Sequence, residues 1–301
     1  MPIRPGLPAD LPQIRQLLHS NRSFLNTGIE DLPSLLSQAV TVVGEDQRGV
    51  LWGFLAFQTE SRSEALPAES AALASLRAAA VVQGLFTTQR MPGLVETLLE
   101  ICYGNAQPMQ LMALTGHSWL TSALRQSGFR EADQIRFYLR TRHDLPQVPK
   151  PALLRPVQES DLNDLARIDA ETFDPVWHMG RAELLQLCFS ARLQVAELAG
   201  RLVGYTATSL YGNGARPFGQ GEAQIVRIAV HPSVQGHGIG RQLLTDAIQH
   251  AHEHNIYRIQ LNTQESNRRS QRMYESFDFR KQGGNIPVLL YDIPDSATSL
   301  S

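Results

Sequence analysis

The chain is written twice, and that repetition limits its fold more than any single motif does. Ile3-Arg4-Pro5 followed by Asp10-Leu11 recurs as Leu154-Arg155-Pro156 followed by Asp161-Leu162, at a constant offset of 151. Trp52-Gly53-Phe54 recurs as Val203-Gly204-Tyr205 at the same offset, and Gly128-Phe129-Arg130 as Asp278-Phe279-Arg280 at 150. Register held over such spans requires one order of elements in both halves, so what is learned of one copy constrains the other. At 301 residues the chain then holds two domains of ordinary size. Between the copies runs Arg142-His-Asp-Leu-Pro-Gln-Val-Pro-Lys-Pro151, where three prolines in six residues exclude a helix and suit an extended linker. The expected division is a first domain over 1–144, a linker over 145–151 and a second domain over 152–295.

Each copy begins with a strand and a helix, Asp10 to His19 and Asp161 to Ala170, in which Leu and Ile recur at helical spacing behind an aspartate placed to cap the N-terminus. Hairpins follow, Ala39–Val43 with Leu51–Phe57 and Leu193–Leu198 with Leu202–Thr208, the second turning at Ala199-Gly200. In the first copy the pattern continues with strand Arg77–Leu85, helix Leu94–Cys102, strand Met109–Leu114, helix Ser118–Gln126 and strand Gln134–Leu139. Both copies are therefore mixed α/β.

The second copy carries the chemistry-bearing segment. Ile225 to Val230 predicts a buried strand, His231-Pro232 breaks it, and Leu243, Leu244, Ala247 and Ile248 mark the apolar face of a following helix. Between them, Gln235-Gly236-His237-Gly238-Ile239-Gly240 places three glycines where the helix must start. The first N–H groups of a helix have no intrahelical partner, and glycine leaves them accessible to an anion that the helix dipole also favours. Two familiar phosphate loops fail on spacing, the dinucleotide fingerprint G-x-G-x-x-G and the triphosphate loop G-x-x-x-x-G-K-[ST].

The segment resembles the pyrophosphate motif (Q/R)-x-x-G-x-(G/A) of the GNAT acetyltransferases, in Gln235, Gly238 and Gly240. Downstream, Asn267-Arg-Arg-Ser270-Gln-Arg-Met-Tyr274-Glu-Ser-Phe-Asp-Phe279 resembles that family's N-x-x-A-x-x-x-Y-x-x-x-G-F helix, with Asp278 where glycine is usual. The two motifs stand in the right order, separated by a strand over Ile256–Asn262. The resemblance implies two tandem GNAT folds of the α/β (α+β) class, each a mostly antiparallel, splayed sheet flanked by helices. It also implies an N-acetyltransferase that uses acetyl-CoA as acyl donor, with a primary amine, on a small molecule or a protein N-terminus, as acceptor. Its expected cofactor-binding residues are Ile228, Ala229 and Val230 for the pantetheine arm, Gln235, Gly236, His237, Gly238, Ile239, Gly240 and Arg241 for the pyrophosphate, and Asn267. Tyr274 takes the family's role of protonating the leaving thiolate, with packing of its ring as the other reading.

The general base departs from the pattern. Many relatives carry glutamate eleven residues before the motif, where this chain has Gln224, and others five residues before the asparagine, where it has Asn262. Glu222 and Glu265 are the remaining candidates, each equally readable as a solvated surface carboxylate. The first copy lacks the cradle: Gln89-Arg-Met-Pro92-Gly-Leu94 aligns with Gln235–Gly240, and Asn267 and Tyr274 fall on His117 and Leu124. Proline has no N–H to offer, and leucine crowds a phosphate. The second copy is thus the expected active one, with a non-catalytic coenzyme A sensor as the alternative.

Other features carry less. His250 and His254 stand at i and i+4, but no HExxH register or further ligand is near, and no metal is expected. Phe173-Asp174-Pro-Val-Trp177-His178 falls where the family builds its acceptor site, and Tyr211–Gly221, with four glycines, is a candidate lid. A net charge of −2 gives no footprint for nucleic acid, no window approaches a membrane span, and two cysteines with no leader pattern fit a cytoplasmic protein.

Overall fold

The computed structural model describes residues 2–20, 22–26, 29–60, 71–82, 87–103, 109–212 and 221–293. The chain forms two compact units, and they do not follow the copies at their last strands. Among the described residues, one unit takes those up to 60, 71–134 and 286–293, and the other takes 135–285.

In the first unit the elements are β1 (Ile3–Pro5), α1 (Leu11–Ser20), β2 (Arg22–Leu25), α2 (Leu32–Gln38), β3 (Val40–Glu45), β4 (Leu51–Thr59), β5 (Ala72–Val81), α3 (Thr87–Tyr103), β6 (Met109–Leu114) and α4 (Ser118–Gln126). β7 (Arg130–Arg140) then leads into the second unit. There follow β8 (Leu153–Pro156), α5 (Leu162–Thr172), α6 (Arg181–Ser190), β9 (Arg192–Leu198), β10 (Arg201–Tyr211), β11 (Glu222–Val230), α7 (Ile239–Glu253), β12 (Arg258–Gln264), α8 (Arg268–Glu275) and β13 (Arg280–Ile293).

Both halves repeat one strand design. β3–β4–β5 and β9–β10–β11 run antiparallel, followed by a short parallel ladder to β6 and to β12. Each has a bulge at the same place, between Ala56 and Phe57 and between Ala207 and Thr208. The hairpin at Ala199-Gly200 has positive φ at both positions, 51° and 75°, the twist a tight two-residue connection requires. An ion-pair bracket recurs as well. Arg4 holds Asp10 through paired contacts of 2.8 and 2.9 Å, and Arg155 holds Asp161 at 2.7 and 3.0 Å. These aspartates do not cap α1 and α5 as the sequence suggested; their carboxylates accept from Leu7 and Gln158 N–H in the 3-10 turn before each helix.

The outer strands are exchanged. Residues 135–140 of β7, written in the first copy, pair antiparallel with 259–264 of β12. Residues 288–293 of β13, written in the second copy, pair with 109–114 of β6. Tyr138 joins the core of the second unit with Tyr274, Phe277 and Phe279. At the strand's end Arg140, fully buried, donates to the carbonyls of Phe277 (2.9 Å), Arg142 (2.7 Å) and Asp144. Removing that guanidinium leaves three carbonyls without their donor, so Arg140→Ala is expected to cost about 2–4 kcal/mol in urea unfolding. A loss below about 0.5 kcal/mol would mean that water replaces the clamp.

Several element boundaries differ from the sequence pattern: β5 runs Ala72–Val81 rather than Arg77–Leu85, and β12 runs Arg258–Gln264 rather than Ile256–Asn262. α3 starts at Thr87 rather than Leu94, and Pro92 lies inside it, because Met91, Leu94, Val95 and Leu98 form one continuous buried stripe. β11 is buried on one face only, at Ala223, Ile225 and Ala229. Residues 141–151 carry no helix or strand, and among the described residues no helix is long and apolar enough to cross a membrane.

Candidate active site

The site begins where β11 and β12 part. Their parallel ladder runs from Glu222↔Arg258 to Ile225↔Leu261 and, among the described residues, ends there. β11 continues to Val230 against β10 alone. His231 N–H bonds Val203 O on the β10 side at 2.8 Å, so strand alternation turns the N–H groups of Ile228 and Val230 to the opposite edge. A cavity of about 490 Å³ opens along that edge, lined by Ile228 and Val230.

Its second wall is the turn into α7. Gly236 and Gly238 have φ of 92° and 88°, the left-handed region, and Gly238 is the residue before the helix. A side chain at either is strained whatever space surrounds it. Gly236, Gly238, Gly240 and Arg241 all line the cavity, so the first turn of α7 faces into it. Gln235 ties the turn to the strand end, donating to Val230 O at 2.9 Å and accepting from Arg269. Arg269 was not singled out in the sequence; its place directly after the start of α8 puts a second cation beside the glycine turn. Arg241 lies over the Phe277 ring at 4.7 Å and donates to Ser276 Oγ at 2.8 Å.

The third wall is α8. Asn267 caps it, its carbonyl oxygen accepting from Ser270 N–H at 3.1 Å, and Ser270, Met273 and Tyr274 face the cavity. Tyr274 is 7% exposed, and burial pushes its phenol up to about 12, against a smaller opposing effect of a hydrogen bond with Ser270. A phenol so placed keeps its proton throughout the working pH range.

Of the residues expected here, the cavity brings together Ile228, Val230, Gln235, Gly236, Gly238, Gly240, Arg241, Asn267 and Tyr274. Ala229 and Ile239 point into the core, each 1% exposed, and His237 is exposed with Nδ1 against Val234 O. Glu222 and Glu265 stand outside the lining. Glu222 bonds Arg258 at 2.9 Å and Gln260 at 3.0 Å. Glu265 bonds Arg136 at 2.6 Å with Lys281 at 3.9 Å, and Arg136 holds its carboxyl below the usual range, which makes it a poorer base. The candidate lid Tyr211–Gly221 falls mostly on residues 213–220, outside those described. His254 Nδ1 donates to His250 O at 2.9 Å, occupying one of the two paired histidines.

The fourth wall is Thr172, Phe173, Asp174 and Trp177. Behind it lies a network that periodicity did not flag. Asp169, on the buried face of α5, is fully enclosed and binds Arg227 of β11 through two contacts of 2.7 and 2.9 Å. Tyr205 Oη donates to the same carboxylate at 2.6 Å. An arginine inside the apolar run Ile225–Val230 was the available signal.

The first unit is built otherwise at the same places. Leu94 and Leu124, the counterparts of Gly240 and Tyr274, are fully buried in one apolar cluster. The edge of β5 that corresponds to Arg227–Val230 is paired, because β2 lies on it with Leu25↔Ala78 through Arg22↔Val81.

Residues 162–279 match the Acetyltransferase (GNAT) family. Over that stretch the chain is similar to the GNAT family. It is 36% identical over 96 residues to a mycothiol acetyltransferase of Thermomonospora curvata, covering 32% of this chain and 30% of that protein. It is 27% identical over 134 residues to a putative [ribosomal protein bS18]-alanine N-acetyltransferase of Bacillus subtilis, covering 44% of this chain and 83% of that one. Two solved structures share the fold over nearly the whole chain. They are a GCN5-related N-acetyltransferase from Sphaerobacter thermophilus (TM-score 0.58, 17% identity, 97% and 95% covered) and a tandem GNAT protein from the clavulanic acid biosynthesis pathway (0.62, 15%, 98% and 99%).

Proposed function

We propose that this protein is an N-acetyltransferase that moves an acetyl group from acetyl-CoA to a weakly basic primary amine, through its second unit alone. The observation that carries the reading is one cavity holding an open strand edge, a left-handed glycine turn into a helix N-terminus, and a protonated buried tyrosine.

The residues present fit the donor. The first turn of α7, with Arg241 and Arg269 beside it, would hold the pyrophosphate, since helix N–H groups and guanidinium forks both suit phosphate oxygens. The outward N–H groups of Ile228 and Val230 would pair with the pantetheine arm as an added strand would. Bound there, acetyl-CoA supplies an activated acyl thioester. An amine attacking that thioester would break its C–S bond, and Tyr274 would give its proton to the departing sulfur. The new ammonium loses its proton to solvent, from which Tyr274 is restored.

No carboxylate is required inside the cavity if the amine reaches it neutral. For an amine of pKa about 8 the neutral share at pH 7 is roughly a tenth, a cost of little more than about 1 kcal/mol; near 10.4, as for lysine, the cost approaches about 5 kcal/mol. This favours an α-amine, in keeping with the alanine named for the Bacillus relative. The ion-paired states of Glu222 and Glu265 agree, and they are also what favours the second reading, a sensor that binds coenzyme A without turnover.

The test is thiol release from acetyl-CoA in the presence of an alanine-led peptide or glucosamine. Turnover that depends on the amine is expected, and tight binding without turnover would establish the sensor. Glu222→Gln and Glu265→Gln should each lower kcat/KM by less than about tenfold. The rate should climb with pH toward the acceptor's pKa and then hold, since a phenol raised to about 12 remains the acid form well past pH 10. A loss of about 10³-fold in either glutamine variant, with acetyl-CoA binding intact, would reveal a dedicated base.

A further inference from the structure

We propose that the buried trio Asp169, Tyr205 and Arg227 is a latch that holds residues 173–179 off the edge of β11 and so keeps the acyl-donor groove open, an inference that rests on the functional reading above. Arg227 reaches the segment twice. Its guanidinium lies 3.7 Å from the centroid of the Phe173 ring, and its Nη2 donates to Trp177 O at 2.5 Å. Asp169 takes hold from the other end, accepting Met179 N–H at 2.6 Å through the oxygen that also receives Arg227 Nη2. His178 Nε2 bonds Phe173 O at 2.8 Å, closing the segment on itself. The chain therefore leaves α5, makes a single 3-10 turn at Pro175–Trp177 and enters α6 without lying along β11.

The first copy is the internal control. At the offset of 151, Asp169 and Tyr205 correspond to Leu18 and Phe54; Arg227 pairs with Ala207 as Ala78 pairs with Ala56, so Ala78 is its counterpart. Leu18, Phe54 and Ala78 belong to one buried apolar cluster. The segment corresponding to 173–176 is 22–25, and there it is strand β2, paired along 78–81 of β5. The same fold thus exists with hydrocarbon in place of the trio and with the groove's edge covered. The fold does not need these charges. Hydrocarbon in place of a buried ion pair is commonly neutral or stabilising, so the trio in the second copy is explained by what it holds rather than by stability. Asp169, Tyr205 and Arg227 are positioning residues; none of them lines the cavity.

The experiment installs the first copy's residues in the full chain, Asp169→Leu with Tyr205→Phe and Arg227→Ala. It measures hydrogen exchange over 173–179, the melting temperature, and acetyl-CoA affinity by calorimetry. The expected result is a melting temperature unchanged or raised, amide exchange over 173–179 altered by at least about tenfold, and acetyl-CoA affinity weakened by at least about tenfold. Arg227→Lys, which keeps the charge but loses the planar fork, should fold and weaken affinity by a smaller factor, and it decides the matter if the triple variant does not fold. A merely structural trio would move the melting temperature and leave the affinity of folded protein alone. The proposal is overturned if affinity stays within about twofold of wild type in a folded variant, or if exchange over 173–179 does not change. A wild-type chain that binds no acetyl-CoA would instead contradict the functional reading, and the exchange arm would still decide whether the trio holds the segment.

Discussion

A fragment of residues 145–301, which holds the linker and the second domain as the sequence delimits them, is expected to be unfolded or insoluble and to bind no acetyl-CoA. It lacks residues 135–140, which pair β12 along 259–264, supply Tyr138 to the core around Tyr274, and end in the Arg140 clamp on Phe277 O. It keeps Val288, Leu289 and Leu290, buried at 1, 0 and 6% exposure against β6, with nothing left to cover them. An exposed apolar edge strand invites aggregation. A fragment of 130–285, which starts at the beginning of β7 and contains residues 135–285 of the compact unit, should fold and bind acetyl-CoA within about tenfold of the full chain. Sedimentation and calorimetry on the two fragments decide it. If 145–301 proved monomeric and bound as tightly as the whole chain, its own last strand would have replaced β7, and the exchange would be dispensable.

Tyr274→Phe should lower kcat by about 10²-fold while acetyl-CoA affinity changes little, the usual scale for losing a positioned general acid. The phenol faces the cavity from α8, and its depth of burial keeps it protonated, so what the variant loses is the proton donor. The ring it retains still packs near Tyr138 and Phe279, with centroids 6.2 Å away in each case, so stability should hold. Single-turnover kinetics isolates the step. An unchanged rate of chemistry would reduce Tyr274 to a packing residue.

Local elements were legible where one physical signal dominated. Helix Ser118–Gln126 and strand Met109–Leu114 form over the residues their periodicity predicts, and the glycine turn before α7 has the left-handed backbone its composition requires. Pairing between distant strands was not legible. Residues 135–140 and 288–293 are both apolar-rich strand segments at the ends of equivalent copies, and local pattern cannot say which partner each takes. The expectation that the first copy lacks a cradle rested on Pro92 and Leu94, and the pairing of β2 along the β5 edge, a contact between residues some 55 positions apart, was not legible in the sequence. Glu222 and Glu265 looked available because sequence shows a carboxylate without its partners, Arg258 and Arg136. Asp169 and Arg227 escaped for the converse reason: each alone reads as an ordinary charged residue, and only the fold brings them to 2.7 Å.

The central claim, that a single donor site lies in the second unit, is tested most directly by titrating the full chain with acetyl-CoA in a calorimeter, beside Gly238→Asp. That substitution places a β-carbon on a backbone with φ of 88° and a negative charge where the pyrophosphate would lie. One site per chain, abolished by Gly238→Asp, is the predicted result; two comparable sites, or one that survives the substitution, would contradict it.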